Sequence, residues 1–318
     1  MNSKLICKTK KIFLAGHTGL VGQGFMRRFV AEGQQALILR SHKQVNLANQ
    51  TEAESIFKDE VPDRVIIAAG KVGGLHANTV YPAEFIYQNL MIAANIIHQA
   101  WLHEVQELLF FGSTCMYPLE CLQPMREESL LTGSIESSNE AYALAKLTGW
   151  KLCESYNRQY GTKFRTILPS NLYGPHDNFH SQDSHVIPAL IQKLYWAKED
   201  QTREVDVWGS GKALREFLYV DDLIEACAYL DTYPEVLGPI NIGSRQEVSI
   251  RELVEEVKDV VGYSGNVRFD NSKPDGMPIK RVDTSCMDQL GWQSKISLRD
   301  GLERTYAWFL QSQQQLRK

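Results

Sequence analysis

Between Lys11 and Glu32 the chain passes from a short apolar run into a glycine-rich turn and then into a helical pattern. Lys11-Ile12-Phe13-Leu14-Ala15 reads as a buried strand, and Leu20 to Glu32 as an amphipathic helix. The turn joining them is Gly16-His17-Thr18-Gly19-Leu20-Val21-Gly22, a G-x-x-G-x-x-G spacing. Glycines let the backbone turn sharply and come close to a pyrophosphate, while the helix N-terminus offers free N–H groups and a favourable dipole. The motif alone is weak. Set between a strand and a helix, it predicts a phosphate cradle rather than a plain tight turn.

The rest of the first half repeats the alternation. Ala36-Leu37-Ile38-Leu39, Arg64 to Ala68, Leu108 to Phe111 and Phe164 to Leu168 read as strands, with helical patterns between them, notably Phe85 to Trp101 and Asn139 to Tyr160. Strands separated by helices predict a parallel sheet covered on both faces. The expected fold is therefore α/β: a Rossmann-type, doubly wound parallel sheet over residues 1–170. After Pro169 the strands shorten, as in Val205-Asp206-Val207-Trp208, and glycine and proline become frequent. Residues 171–318 are expected to form mainly a smaller substrate-binding lobe, with later segments crossing back to the sheet.

Composition excludes several classes. The net charge is −4 with no Lys/Arg block, which argues against a nucleic-acid partner. No apolar run is long enough to span a bilayer. Met1 to Lys11 is polar and basic and lacks a secretory core, so a cytoplasmic protein is expected. The six cysteines, Cys7, Cys115, Cys121, Cys153, Cys227 and Cys286, contain no C-x-x-C pair. Neither a disulfide framework nor a metal site is expected.

The end of the second strand selects the cofactor. An acid there would hold the ribose 2′-OH of NAD, but this strand runs into Arg40-Ser41-His42-Lys43. A cation suits the 2′-phosphate of NADP, so NADP is the expected cofactor, with Arg40 as its discriminating contact.

Ser113 stands just past the strand ending in Phe111, where open α/β sheets bind ligands. Tyr142 and Lys146 are four residues apart on a predicted helix and so share a face. A tyrosine is a poor acid or base at neutral pH, and a nearby lysine cation is expected to lower its pKa. Ser113 can then hold the substrate oxygen.

The glycine loop, Ser113, Tyr142 and Lys146 together resemble the extended short-chain dehydrogenase/reductase superfamily, over nearly the whole chain. Longer stretches narrow the likeness: Lys71-Val72-Gly73-Gly74, Tyr81 to Asn89, Lys151 to Gly161, Pro169 to Phe179, Ser184 to Leu190 and Lys273-Pro274-Asp275-Gly276 resemble the GDP-L-fucose synthase family. The resemblance implies NADPH-dependent conversion of GDP-4-keto-6-deoxy-D-mannose to GDP-L-fucose, by epimerisation at C3 and C5 and reduction at C4. It implies Cys115 as base and His185 as acid, with Ser113, Tyr142 and Lys146 serving the reduction. It places Pro169, Ser170, Asn171, Leu172 and His185 along the nicotinamide and Lys146 also at the nicotinamide ribose hydroxyls. Lys193, Trp208, Arg215 and Asp275 are implied contacts of the GDP-sugar.

Thr18 stands where some family members carry an arginine, which leaves Arg40 as the main 2′-phosphate contact. Two related activities remain open on the same residues: a GDP-L-colitose synthase acting on a 3,6-dideoxy substrate, and a reductase of a GDP-4-keto-6-deoxyheptose. An epimerase or dehydratase that recycles NAD fits less well with Arg40 and with Thr114-Cys115 beside the serine. A non-enzymatic sensor fits less well with an intact Tyr142 and Lys146. By resemblance, Phe85 to Trp101 and Asn139 to Tyr160 are expected to pair across a two-fold axis in a homodimer.

Overall fold

The four residues of β1 (Ile12–Ala15) are all buried, as a strand covered on both faces requires. They lie in a computed structural model that describes residues 10–180, 183–273 and 275–316. Cys7, most of the Met1–Lys11 segment and Pro274 fall outside those residues. From β1 the chain alternates through α1 (Leu20–Glu32), β2 (Leu37–Ile38), α2 (Gln50–Glu60), β3 (Arg64–Ile67), α3 (Leu75–Val80), α4 (Pro82–Leu102), β4 (Glu107–Phe111), α5 (Glu140–Tyr160) and β5 (Lys163–Pro169). The helix boundaries have local causes. Asn49 caps α2 by accepting from the Thr51 and Glu52 amides, and α1 and α5 stop at Gly33 and Gly161 in the left-handed region.

The remaining elements are β6 (Asn171–Tyr173), α6 (Val186–Glu199), β7 (Glu204–Trp208), β8 (Leu214–Tyr219), α7 (Val220–Leu230), β9 (Ile240–Ile242), β10 (Glu247–Ser249), α8 (Ile250–Val261), β11 (Asn266–Asp270), β12 (Ile279–Lys280), α9 (Ser285–Leu290) and α10 (Leu298–Leu316). The main sheet is parallel, in the order β2-β1-β3-β4-β5-β9. The order reverses beside β1, so a crevice opens past the carboxyl ends of β1 and β3. β2 is shorter than the Ala36–Leu39 expectation. It pairs on one side only, and the chain then turns at Ser41, whose carbonyl accepts from the Gln44 amide.

The smaller lobe holds the β10-β8-β12 sheet, joined by β6 through β8, and the β7–β11 pair. Its core gathers Leu190, Ile191 and Leu194 of α6 with Leu253, Val257, Leu302 and Phe309. The chain does not stay there. Leu223, Ile224 and Cys227 of α7 and Met287 of α9 are buried in the core of the main sheet with Phe25 and Ile12, and β9 adds its edge strand. These returns tie the two walls of the crevice together. On the far side α4 and α5 pack alongside each other. A Cβ on Gly149 would come within 2.3 Å of the Phe110 ring, so α5 lies close against β4.

Candidate active site

A cleft of about 1000 Å³ lies between the carboxyl edge of the main sheet and the smaller lobe. At one end sits the glycine loop. Gly16 has φ +85°, and a Cβ on it would lie 2.5 Å from the Ala69 amide nitrogen. A Cβ on Gly22 would lie 2.1 Å from the Gly16 carbonyl oxygen. Both glycines are therefore demanded by the turn itself. Gly19 is different: the nearest atom to its Cβ position is 3.8 Å away, and the residue lines the cleft. Its missing side chain leaves room for a ligand rather than for protein.

Among the buried polar atoms of the cleft lining that have no protein partner among the described residues are His17 Nδ1 and Ser170 Oγ. Orphaned buried groups of this kind are satisfied by a ligand or water. Thr18, Leu20, Val21, Pro169, Asn171 and Leu172 line the same space. Arg40 also lines it, but its guanidinium donates to Glu60 at 2.5 Å and to the Leu39 carbonyl at 3.0 Å. Ser41 and His42 stand beside it in the lining. A dinucleotide fits this set: an open backbone cradle at the N-terminus of α1, a cation past β2, and unsatisfied donors or acceptors between them. Gly19→Val is expected to fold as the parent does and to lose at least about tenfold in dinucleotide affinity. Calorimetric titration checks it, and an unchanged affinity would remove the loop from the binding site.

At the middle of the cleft, β4 delivers Ser113 and α5 delivers Tyr142 and Lys146. Ser113 is extended and its hydroxyl accepts from the Cys115 amide at 3.2 Å. The same hydroxyl hydrogen-bonds Tyr142. Lys146 is buried, its ammonium donates to the Phe111 carbonyl at 2.8 Å, and it lies 5.7 Å from the centre of the Tyr142 ring. The electrostatics differ from the expectation. Burial pushes the Tyr142 hydroxyl up, the neighbouring Cys115 adds to this, and only the Ser113 hydrogen bond opposes it. Lys146 itself is pushed down to about 8 by burial. The reason is desolvation: enclosing both groups disfavours both charged forms, and the ammonium is spent on a carbonyl. Tyr142 is thus a neutral phenol over the working pH range, the state that a proton donor needs.

Cys115 and His185 approach from different elements. Cys115 follows Ser113 in the short turn after β4, and His185 caps α6. His185 keeps solvent contact through the cleft, yet the surrounding walls lower its pKa, with the like charge of Lys280 adding to the effect. Lys280 places its Nζ 3.8 Å from Cys115 Sγ. Sequence reasoning missed Lys280, because only the pairing of β12 with β8 carries it there. It also missed Asp177 as a site residue. That carboxyl lines the cleft with Oδ2 unpartnered, and burial pushes it up to about 7. Asp177 lies inside a stretch quoted for its resemblance, but nothing local marks it as buried.

The substrate-side residues divide. Arg215 lines the cleft and donates to the Leu214 and Met277 carbonyls at 2.8 and 2.7 Å. Asp275 also lines it and accepts from the Ser210 amide and hydroxyl at 2.6 and 2.7 Å. Lys193 and Trp208 do not line the cleft. Lys193 is exposed and donates to the Asp206 carbonyl at 2.5 Å, while Trp208 is 65% exposed with the Lys273 ammonium over its ring. Trp208 is nevertheless one residue from the wall, since a Cβ on Gly209 would meet Asp275 Oδ1 at 2.4 Å.

Residues 12–243 match the family described as NAD dependent epimerase/dehydratase. The chain is 50% identical over 310 residues to GDP-L-fucose synthase 1 of Arabidopsis thaliana, covering 98% of this chain and 96% of the relative. It is 48% identical to GDP-L-fucose synthase of Escherichia coli (strain K12), covering 97% of this chain and 99% of the relative. A GDP-L-colitose synthase of Yersinia pseudotuberculosis matches at 37%, covering 94% and 98%. Among solved structures, a GDP-L-fucose synthetase from Naegleria fowleri bound to NADP superposes with a TM-score of 0.90 at 30% identity, covering 98% of this chain and 96% of that one.

Proposed function

We propose, from the premise that this chain belongs to the NAD dependent epimerase/dehydratase family and stands among its GDP-L-fucose synthases, that it converts GDP-4-keto-6-deoxy-D-mannose to GDP-L-fucose with NADPH. The observation that carries this reading is one cleft holding three things: a dinucleotide cradle, a Ser113–Tyr142–Lys146 group and a Cys115–His185 pair.

The 4-keto group acidifies the C–H bonds at C3 and C5. Cys115 takes a proton from carbon, and the electron pair of the broken C–H bond moves into an enolate whose oxygen Ser113 holds. His185 returns a proton to carbon, inverting the centre. Burial and then the like charge of Lys280 hold the His185 pKa down; the negative charge of the enolate opposes both, so that His185 takes a proton from solvent and delivers it to carbon. When bound, the reduced nicotinamide supplies hydride to C4. Tyr142 then gives its proton to the C4 oxygen, with Ser113 orienting that oxygen and Lys146 fixed behind the phenol. The glycine loop, His17, Thr18, Arg40 and Pro169 to Leu172 would hold NADPH. Arg215 and Asp275 serve the GDP-sugar at the wall, and Lys193 and Trp208 at its outer end.

With GDP-4-keto-6-deoxy-D-mannose the purified protein is expected to oxidise NADPH and release GDP-L-fucose, with NADH turned over more slowly. Turnover confined to the 3-deoxy analogue would move the answer to colitose, and a preference for NADH would sink the role of Arg40. We also read the protein as a homodimer that buries the α4–α5 face, where Tyr87, Leu102, Leu144 and Tyr160 are exposed. A solution mass of one 36.1 kDa chain would count against that. A cytoplasmic setting suits the described cysteines, which are free thiols. Among the described residues no helix is long and apolar enough to cross a membrane.

A further inference from the structure

We propose that Lys280 is a positioning residue for the proton-transfer pair, its ammonium serving as the counter-charge that readies the Cys115 sulfur as a base. The inference rests on the reading of Cys115 given above and assigns a residue to which that reading gives no catalytic part.

The backbone around Lys280 is held on both sides. Lys280 pairs in parallel register with Arg215 of β8, the Leu214 amide donates to the Pro278 carbonyl at 2.8 Å, and the Met125 amide donates to the Arg281 carbonyl at 2.9 Å. The side chain is half-buried, lines the cleft and ends 3.8 Å from Cys115 Sγ. Among the described residues no carboxylate pairs with it, although ion pairs are common elsewhere in the chain. The titratable groups that other elements bring to the cleft include Lys71 and Asp177, Tyr142 and Lys146 of α5, Glu136 ahead of it, His185 at α6, Arg215 of β8 and Asp275. Lys146 and Arg215 give their hydrogen bonds to backbone carbonyls, and Asp275 accepts from Ser210. Among the described residues, Lys280 is the cation left facing the sulfur.

A thiolate, not a thiol, removes a proton, and an ammonium 3.8 Å from the sulfur is a counter-charge for it. The step balances without another reactant: the carbon–hydrogen bond breaks, the sulfur–hydrogen bond forms, and the charge passes from sulfur to the enolate oxygen. The same ammonium repels a proton on His185. Removing that cation takes the counter-charge from the sulfur and lifts the repulsion that helps hold the His185 pKa down, so the His185 limb of a pH profile moves upward.

The test uses Lys280→Gln, Lys280→Met and Lys280→Arg in the full chain. Alkylation of Cys115 by iodoacetamide, followed by peptide mass in the free enzyme, is expected to slow about tenfold at pH 7 in the Gln and Met variants and to recover at higher pH. The Arg variant is expected to restore the parent profile. In deuterium exchange at C3 and C5, the optimum is expected to move to higher pH in the neutral variants. Lower amplitude with unmoved pH profiles in both neutral variants would reduce Lys280 to a structural residue and overturn the proposal. Exchange that survives Cys115→Ala would instead overturn the base reading, and with it any part for Lys280 in exchange, while the alkylation shift still reports on the ion pair itself.

Discussion

Tyr142→Phe is expected to lower the rate of C4 reduction by about 10²–10⁴-fold while solvent deuterium still enters C3 and C5. The phenol is the proton donor to the oxygen formed at C4. Burial keeps it protonated well above neutral pH, so over that range the loss should not depend on pH. The ring itself packs edge-on against Phe85, with centroids 6.2 Å apart, and phenylalanine keeps that contact. Fold and cofactor affinity should therefore survive, and only the proton is removed. Single-turnover NADPH oxidation measures the reduction, and mass spectrometry of recovered substrate measures the exchange. Equal loss of both would mean that Tyr142 also drives enolisation, and the division of labour would be wrong.

Cys115→Ala is expected to have the opposite signature. Exchange at C3 and C5 should fall by about 10²–10⁴-fold, the usual worth of a positioned acid or base. Reduction of the unepimerised keto sugar should persist slowly, since Ser113, Tyr142 and Lys146 are untouched. The amide of residue 115 still donates to Ser113, because that hydrogen bond comes from the backbone. Product analysis is the decisive readout: the variant should release a GDP-6-deoxyhexose that keeps its original C3 and C5 configurations. Normal GDP-L-fucose formation by Cys115→Ala would take the base role from this residue.

Much of the scaffold was legible because its signals are local. The strand Ile12–Ala15, the helix Leu20–Glu32 and the helix ending at Tyr160 follow from apolar periodicity and from glycine at the stop positions. The Tyr142–Lys146 pair follows from helical spacing, since residues four apart share a face. Boundaries were less secure where pairing sets them. β2 is only Leu37–Ile38, because an edge strand lasts as long as its single neighbour holds it. The charge states were not legible at all. Lys146 was expected to lower the pKa of Tyr142, but enclosure pushes the Tyr142 hydroxyl up and the Lys146 ammonium down.

The sequence by itself determined a parallel α/β sheet, a dinucleotide loop and a Tyr-x-x-x-Lys helix, because each is encoded within about thirty residues by periodicity and backbone freedom. The motifs that resemble GDP-L-fucose synthases added Cys115 and His185. Tertiary structure decided which of these residues share a cleft and what they meet there. It showed that the emptiness at Gly19 serves a ligand whereas that at Gly16 and Gly22 serves the turn. It committed Arg40 to Glu60, left Asp177 Oδ2 without a partner among the described residues, and set Lys193 and Trp208 outside the lining. It brought Lys280 to Cys115, 165 positions away in the chain. Such pairings depend on strand register and on desolvation, and both are properties of the folded whole that no local run of residues encodes.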